Sequence, residues 1–142
     1  MKNNYKKPSP IRQPAKREPG EIMTVRILNA LEDPRAKGKA RPGINVERVG
    51  GHFRVMGLTT SSRYSSGKSR LPVPDPQAIG LTAPCHFWGD RLTNVSAIDV
   101  GDHIGWIDHQ TLAAMRTLVE LSPEVWTALE RAADLHHPRN AA

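Results

Sequence analysis

Residue types that can bind and cleave a phosphodiester are concentrated in the middle of this 142-residue chain. Arg41 lies in "KARPG", and four consecutive hydroxyl residues, "TTSS" at 59–62, are followed directly by Arg63. A guanidinium presents a planar fork of donors to phosphate oxygens, and hydroxyls can donate to the same oxygens or orient a nucleophile. The pattern fits a phosphate-binding surface. It also fits a solvent-exposed arginine on a strand, with "TTSS" forming only a polar turn.

The net charge of +6 is unevenly distributed along the chain. Residues 35–70 contain nine Lys or Arg and one acidic residue, and residues 1–20 contain six Lys or Arg and one Glu. Residues 71–142 carry a net charge of −5. Such asymmetry favours a polyanionic partner, most often a nucleic acid. A basic surface that only keeps the protein soluble is the alternative.

Two alternating runs around a Gly-Gly pair predict the hairpin that positions these groups. "INVERV" and "HFRVMGL" alternate apolar and polar residues on either side of Gly50–Gly51. "EIMTVRIL" predicts a buried first strand, followed by a long polar loop. In the hairpin we expect Ile44, Val46 and Val49 to face the core and Asn45 to face water.

Two helices are predicted after the strands. "DHQTLAAMRTLVELS" has apolar residues at helical spacing with Asp108 placed as N-cap, and "SPEVWTALERAADLHH" begins with Ser122 as N-cap and Pro123 at the first helical position. Between hairpin and helices, "APCHFWGDRL" and "TNVSAIDVGDHIGWI" supply shorter strand-like pieces. This order predicts a mainly β fold of the α+β class, a small antiparallel SH3-like barrel closed by C-terminal helices.

Composition divides the chain into three parts. Residues 1–19, which contain four prolines and few large aliphatic side chains, are expected to form a flexible basic arm. Residues 20–121 form the barrel with its helix, and residues 122–142 add a helix and a tail. No apolar run reaches the roughly 18 residues of a membrane span, and no signal peptide is recognisable. With Cys85 as the single cysteine, we expect a cytoplasmic protein without a disulfide, metal or cofactor.

The order of several short motifs resembles the MazF/PemK toxins, the mRNA interferases of bacterial toxin–antitoxin systems. "GEI" opens a strand, a long loop ends in "RPG", a strand runs into "TTSS", and "GL", "GDRL", "AID" and "IGWI" precede a helix. The resemblance covers about residues 20–120. It implies an SH3-like barrel, a homodimer, metal-independent cleavage of single-stranded RNA at short sequences, and a cognate antitoxin as partner.

The resemblance also implies three catalytic residues. Arg41 matches the arginine of the family's "RP" element, Thr59 the hydroxyl residue at the end of the third strand, and Asp90 the acidic residue before the "AID" segment. Two features depart from the family. Some members carry an acidic residue or histidine in the first loop upstream of the "RP" arginine, whereas the loop here is "DPRAKGK", with lysines nearest that arginine, and Trp88 stands where some members have an arginine.

In such a reaction the RNA 2′-OH attacks the adjacent phosphate and yields a 2′,3′-cyclic phosphate and a 5′-OH. The protein must remove one proton, neutralise charge on the phosphorane and protonate the leaving oxygen. Arg41 is the natural residue to neutralise the negative charge on the phosphorane. The residues expected to contact RNA, with Trp88 stacking on an unpaired base, are Lys37, Lys39, Arg54, Thr60, Ser61, Arg63 and Trp88. His86 or His103 could replace the missing acid–base group, although each is more simply explained as a structural residue.

Two functions therefore remain open. The first is an endoribonuclease toxin, which the presence of Arg41, Thr59 and Asp90 favours. The second is a non-catalytic module of the same fold that binds RNA or a protein target such as a gyrase, which the two departures favour.

Overall fold

The structure is a computed structural model that describes residues 13–26 and 40–139. Within these residues the elements, in chain order, are β1 (Glu21–Arg26), β2 (Ala40–Val49), β3 (His52–Thr59), β4 (His86–Phe87), β5 (Thr93–Ser96), β6 (Val100–Trp106), α1 (His109–Arg116) and α2 (Pro123–His136). Strands precede helices, so the predicted α+β class is confirmed. Lys37 and Lys39, two predicted RNA contacts, lie outside the described residues, as does most of the predicted first loop.

The strands form one antiparallel sheet in the order β4-β3-β2-β1-β6, and β5 pairs with the first half of β3. The predicted hairpin is present, since Val49 pairs with His52 across Gly50–Gly51. Among the described residues no ladder joins β6 to β4 or β5. The expected closed barrel is therefore corrected to an open sheet.

The outer edge of β6 is occupied by the segment that precedes β1. Pro14 pairs with Asp102, the amide of Ala15 donates to the carbonyl of Gly101 at 3.0 Å, and the amide of His103 donates to Gln13 at 2.8 Å. An edge with satisfied backbone groups is not available for closing a barrel. Residues 13–17 are thus bound to the sheet, where the sequence predicted part of a flexible arm; residues 1–12 of that arm lie outside the described residues.

Both faces of the sheet are buried. One face packs against α1 and α2 through a core that includes Ile22, Ile44, Val46, Met56, Leu58, Phe87, Leu112, Met115 and Leu129. The other face buries Met23, Val25, Phe53, Val55, Val95 and Val100. The α2 helix therefore shares its core with the sheet.

Two hairpin residues differ in burial from the sequence prediction. The pairing register with β3 shifts between Asn45 and Glu47, where a bulge interrupts the ladder. Asn45 is fully buried and its side-chain amide donates to the carbonyl of Glu18 at 3.0 Å, while Val49 is 53% exposed. The predicted positions of Asn45 and Val49 are therefore wrong, whereas Ile44 and Val46 face the core as expected.

Both helices begin at the predicted caps. The carboxylate of Asp108 accepts from the amide of Thr111 at 2.8 Å, and the hydroxyl of Ser122 accepts from the amide of Val125 at 3.4 Å. These side chains satisfy amides that a first helical turn leaves without partners. No helix in the described part of the chain is long and apolar enough to cross a membrane.

Candidate RNA-binding site

The candidate site lies where the end of β3 meets β4. The ladder places Thr59 opposite His86, and the amide of Trp88 donates to the carbonyl of Gly57 at 2.8 Å. Side chains alternate along strands, and directly paired residues share a face of the sheet. Thr59, His86 and Trp88 are thus presented on one face, opposite the side on which Phe87 enters the helix-packed core.

Arg41 and Trp88 are in direct contact in this site. Arg41 belongs to the start of β2, where it pairs with Val25 of β1, and is half-buried. Its guanidinium carbon lies 4.9 Å from the centroid of the Trp88 ring, within the range of a cation–π interaction. From the sequence, Arg41 was predicted to bind phosphate and Trp88 was predicted, independently, to stack on a base. The fold brings the two residues together.

A second guanidinium, which the sequence analysis did not assign to the site, contacts the same ring. The guanidinium carbon of Arg70 lies 4.7 Å from the centroid of Trp88 and 4.7 Å from the centroid of Tyr64. Arg70 Nε donates to the carbonyl of Trp88 at 3.0 Å, and Nη1 donates to the carbonyl of Ser61 at 3.2 Å. The only feature of the sequence that could have pointed to Arg70 as a site residue is the tyrosine among basic residues in "SRYSSGKSR".

The hydroxyl residues after β3 have unequal access to solvent. Thr59 is 6% exposed, and its Oγ1 accepts from the amide of Ser61 at 3.2 Å, a local turn of the kind that Ser and Thr form. Thr60 and Ser61 are exposed. Arg63 Nη1 donates to the carbonyl of Gly67 at 2.9 Å and so supports its own loop. Thr60 and Ser61 are therefore more accessible to a ligand than Thr59.

Two other predicted residues take no part in the contact between Arg41 and Trp88. Asp90 is exposed two residues after Trp88, and it makes no hydrogen bond or ion pair within the described parts of the chain. Arg54 lies five residues before Thr59 on β3, which corresponds to about 17 Å along an extended strand. Its Nη1 lies 2.5 Å from the carboxylate of Glu47. Arg54 is thus neutralised by an ion pair and is not brought to the site.

The two candidate histidines differ in how their rings are held. Nδ1 of His103 lies 2.7 Å from Oε2 of Glu21, a fully buried carboxylate that also accepts from the amides of Lys16 and Arg17 at 2.9 and 2.6 Å. Nδ1 of His86 is buried without a hydrogen-bond partner among the described residues. A carboxylate at Nδ1 orients an imidazole so that Nε2 can exchange a proton. His103 is therefore the better oriented of the two.

His103 also lines the same cavity as Arg41. This cavity has a volume of about 650 Å³, and its other lining residues include Thr24 and Thr82. Burial raises the pKa of the Cys85 thiol, so this group remains a protonated core residue. No cluster of three or more His, Cys, Asp or Glu in residues 13–26 and 40–139 could hold a metal ion.

The overall fold is similar to that of a solved toxin. The chain is similar to the Mycobacterium tuberculosis toxin MazF-mt6, with a TM-score of 0.50 and 20% sequence identity over 80% of this chain and 96% of that chain. The chain has the MazF fold. It is also similar to an endoribonuclease in complex with its cognate antitoxin from mycobacteria, with a TM-score of 0.45 and 19% identity over 83% of this chain and 95% of that chain.

No protein-family model matches the sequence, and no curated protein sequence matches it either. The likeness to the MazF toxin thus lies in the fold, because the identity is low. The resemblance to the MazF/PemK toxins that the short motifs indicated is thus confirmed for the fold. In this structure Arg41 lies at the start of β2 and Thr59 at the end of β3, and these two strand ends are neighbours in the antiparallel pair.

Proposed function

We propose that this protein is the endoribonuclease toxin of a toxin–antitoxin system and cleaves single-stranded RNA at short sequences without a metal ion. The observation that carries the proposal is the contact between Arg41 and Trp88 in a MazF fold. A guanidinium binds phosphate and an indole stacks on an unpaired base, so the pair combines the two contacts that a single-stranded RNA requires.

In the proposed reaction Arg41 neutralises charge that develops on the phosphorane. Thr59 and the exposed Thr60 and Ser61 donate hydrogen bonds to phosphate oxygens at the rim of the site. Asp90, which is exposed beside Trp88, is one candidate for the proton transfers. His103, oriented by Glu21 in the cavity that Arg41 also lines, is the other candidate.

The proposal extends to partners and location. We expect the toxin to act in the cytoplasm as a homodimer and to be inhibited by a cognate antitoxin. The homodimer is what the resemblance to the MazF/PemK toxins implies, because small barrels of that kind associate through a two-fold interface. Lys37 and Lys39, in the segment before β2, are proposed as further phosphate contacts.

The test is incubation of the purified protein with a long single-stranded RNA in EDTA, followed by mapping of the product ends. We expect cuts at one short sequence, with a 5′-OH on one product and a 2′,3′-cyclic phosphate on the other. Random cutting, or activity that EDTA abolishes, would contradict the proposal. An Arg41→Ala protein prepared in parallel excludes a contaminating ribonuclease.

A second candidate function is RNA binding without cleavage. It is favoured by the burial of Thr59, whose hydroxyl already accepts a backbone amide. A protein of this kind would shift single-stranded RNA in a native gel and leave its length unchanged. The same incubation therefore separates the two functions.

A further inference from the structure

Four side chains around Trp88 alternate between aromatic rings and guanidinium groups. The order of contacts is Tyr64, Arg70, Trp88 and Arg41, with guanidinium-to-centroid distances of 4.7, 4.7 and 4.9 Å. Trp88, Arg70 and Tyr64 are each partly exposed. These distances are within the range of cation–π interactions, and aromatic rings and guanidinium groups are the planar surfaces on which unpaired bases stack.

We propose that Trp88, Arg70 and Tyr64 form a nucleobase-stacking platform for single-stranded RNA, in which Arg70 is the positioning residue. The inference rests on the proposed RNA substrate and names the subsite that holds one of its bases. Arg70 and Tyr64 come from the loop between β3 and β4, so the platform is built from a different part of the chain than Arg41.

The three platform residues are held in place by backbone contacts. The main-chain amide of Arg70 donates to the carbonyl of Ser62 at 2.8 Å, in addition to the two side-chain bonds of Arg70 to backbone carbonyls. A short turn fixes Tyr64, whose amide donates to the carbonyl of Lys68 at 2.9 Å. Gly89 is buried, and a methyl group there would lie 3.5 Å from the Tyr64 hydroxyl, so Tyr64 packs against the chain beside Trp88.

Arg41 and Arg70 are held differently on the Trp88 ring. Arg70 makes two side-chain hydrogen bonds to carbonyls, whereas the Arg41 guanidinium makes none to the residues that the structure describes. A base can therefore take the place of Arg41 on the indole while Arg70 keeps the ring oriented. Arg41 then turns to the phosphate that the proposed reaction requires, so that base binding and phosphate binding occur together.

Stacking of this kind tolerates any base, because every base presents a π face. Its loss should reduce the affinity for single-stranded RNA by about 5- to 150-fold per base. The platform therefore contributes affinity and register, and it is distinct from the groups that break the bond.

The test measures binding of a fully 2′-O-methylated oligonucleotide, which cannot be cut by 2′-OH attack, at fixed salt. Trp88→Ala should weaken binding about 10-fold or more, and Trp88→Phe should retain most of the affinity. Arg70→Gln should weaken binding more than Lys68→Gln, a matched control that removes one charge from the same loop. Thermal unfolding of each variant shows whether the fold is retained.

A scan of abasic positions along the same oligonucleotide identifies the stacked base. At one position, base removal and Trp88→Ala should weaken binding by the same factor and should not add to each other. In a protein with Trp106→Phe and Trp126→Phe, the remaining Trp88 fluorescence should change when RNA binds, and less so with Arg70→Gln. A purely structural role of Arg70 would lower the melting temperature and leave this spectral response unchanged.

Additive losses at every abasic position, or a Trp88 spectrum unaffected by RNA, would overturn the platform. These readouts use an oligonucleotide that is not cleaved and so do not depend on catalysis. If the wild-type protein binds through Trp88 yet cuts no RNA, the proposed endoribonuclease fails and the platform stands. If it cuts RNA while Trp88→Ala and Arg70→Gln bind as wild type, the platform fails and the endoribonuclease stands.

Discussion

Nδ1 of His103 lies 2.7 Å from the carboxylate of Glu21, although the two residues are 82 positions apart in the sequence. Glu21 has no exposed surface, while the His103 side chain retains 22%. The carboxylate therefore orients the His103 ring from the buried side, and His103 is among the residues that line the cavity shared with Arg41. A histidine oriented in this way can transfer a proton.

If His103 transfers a proton in the proposed reaction, His103→Gln should reduce the single-turnover cleavage rate by about 10²- to 10⁴-fold. The affinity for uncleavable RNA should change little, because the imidazole is not a phosphate clamp. Asp90→Asn, assayed in the same way, tests the other candidate. His52→Gln serves as the control, because His52 is exposed beside the hairpin turn at the far end of β3 from Thr59. A normal rate for His103→Gln would restrict His103 to a structural role.

Glu21→Ala should destabilise the fold by about 3 kcal/mol, because it leaves two backbone amides and a histidine without their buried acceptor. Urea unfolding measures this loss. Glu130→Ala is the matched control, since it breaks the exposed pair with Arg116 and should cost no more than about 1 kcal/mol. Equal losses for the two variants would show that the Glu21 network contributes no more than a surface pair.

Arg41→Ala should lower the cleavage rate by about 10²- to 10³-fold without unfolding the protein, because the side chain is half-buried at the end of a strand and lies outside the apolar core. Arg41→Lys should recover little, since an ammonium cannot reproduce the bidentate fork. Thr59→Ala should lose less, because Thr60 and Ser61 are accessible beside it. A wild-type rate for Arg41→Ala would remove this residue from the active site.

The affinity for single-stranded RNA should fall steeply as the salt concentration rises, because the basic residues between 35 and 70 displace counterions from phosphates. Removal of residues 1–12 should weaken binding to all sequences and leave the cleavage site unchanged. The deletion stops at residue 12 so that the bonds of Gln13 and Ala15 to β6 persist. A salt-independent affinity would show that the basic middle of the chain does not contact RNA.

The protein should be a dimer in solution, with a mass near twice 15.7 kDa. Light scattering coupled to size exclusion at micromolar concentration measures this directly. A monomer under these conditions would contradict the homodimer proposed from the MazF fold.

The sequence by itself determined the features that depend on neighbouring residues. The Gly50–Gly51 turn, the alternation of the hairpin and the caps Asp108 and Ser122 are each encoded within a few positions, so their prediction was confirmed. Residue chemistry also singled out Arg41 and Trp88, because a guanidinium and an indole have few equivalents for binding phosphate and base.

Only the tertiary structure decided how distant segments meet. Asn45 is buried because Glu18 and Gly20, in the segment before β1, bond to it, and Val49 is exposed because it ends β2 beside the Gly50–Gly51 turn. Residues 13–15 took the edge of β6 and left the sheet open, since unpaired edge groups accept any segment of suitable geometry. Arg70 reached Trp88, and Glu21 reached His103, across 18 and 82 positions. Such contacts depend on strand order and register, which no local pattern of side chains specifies.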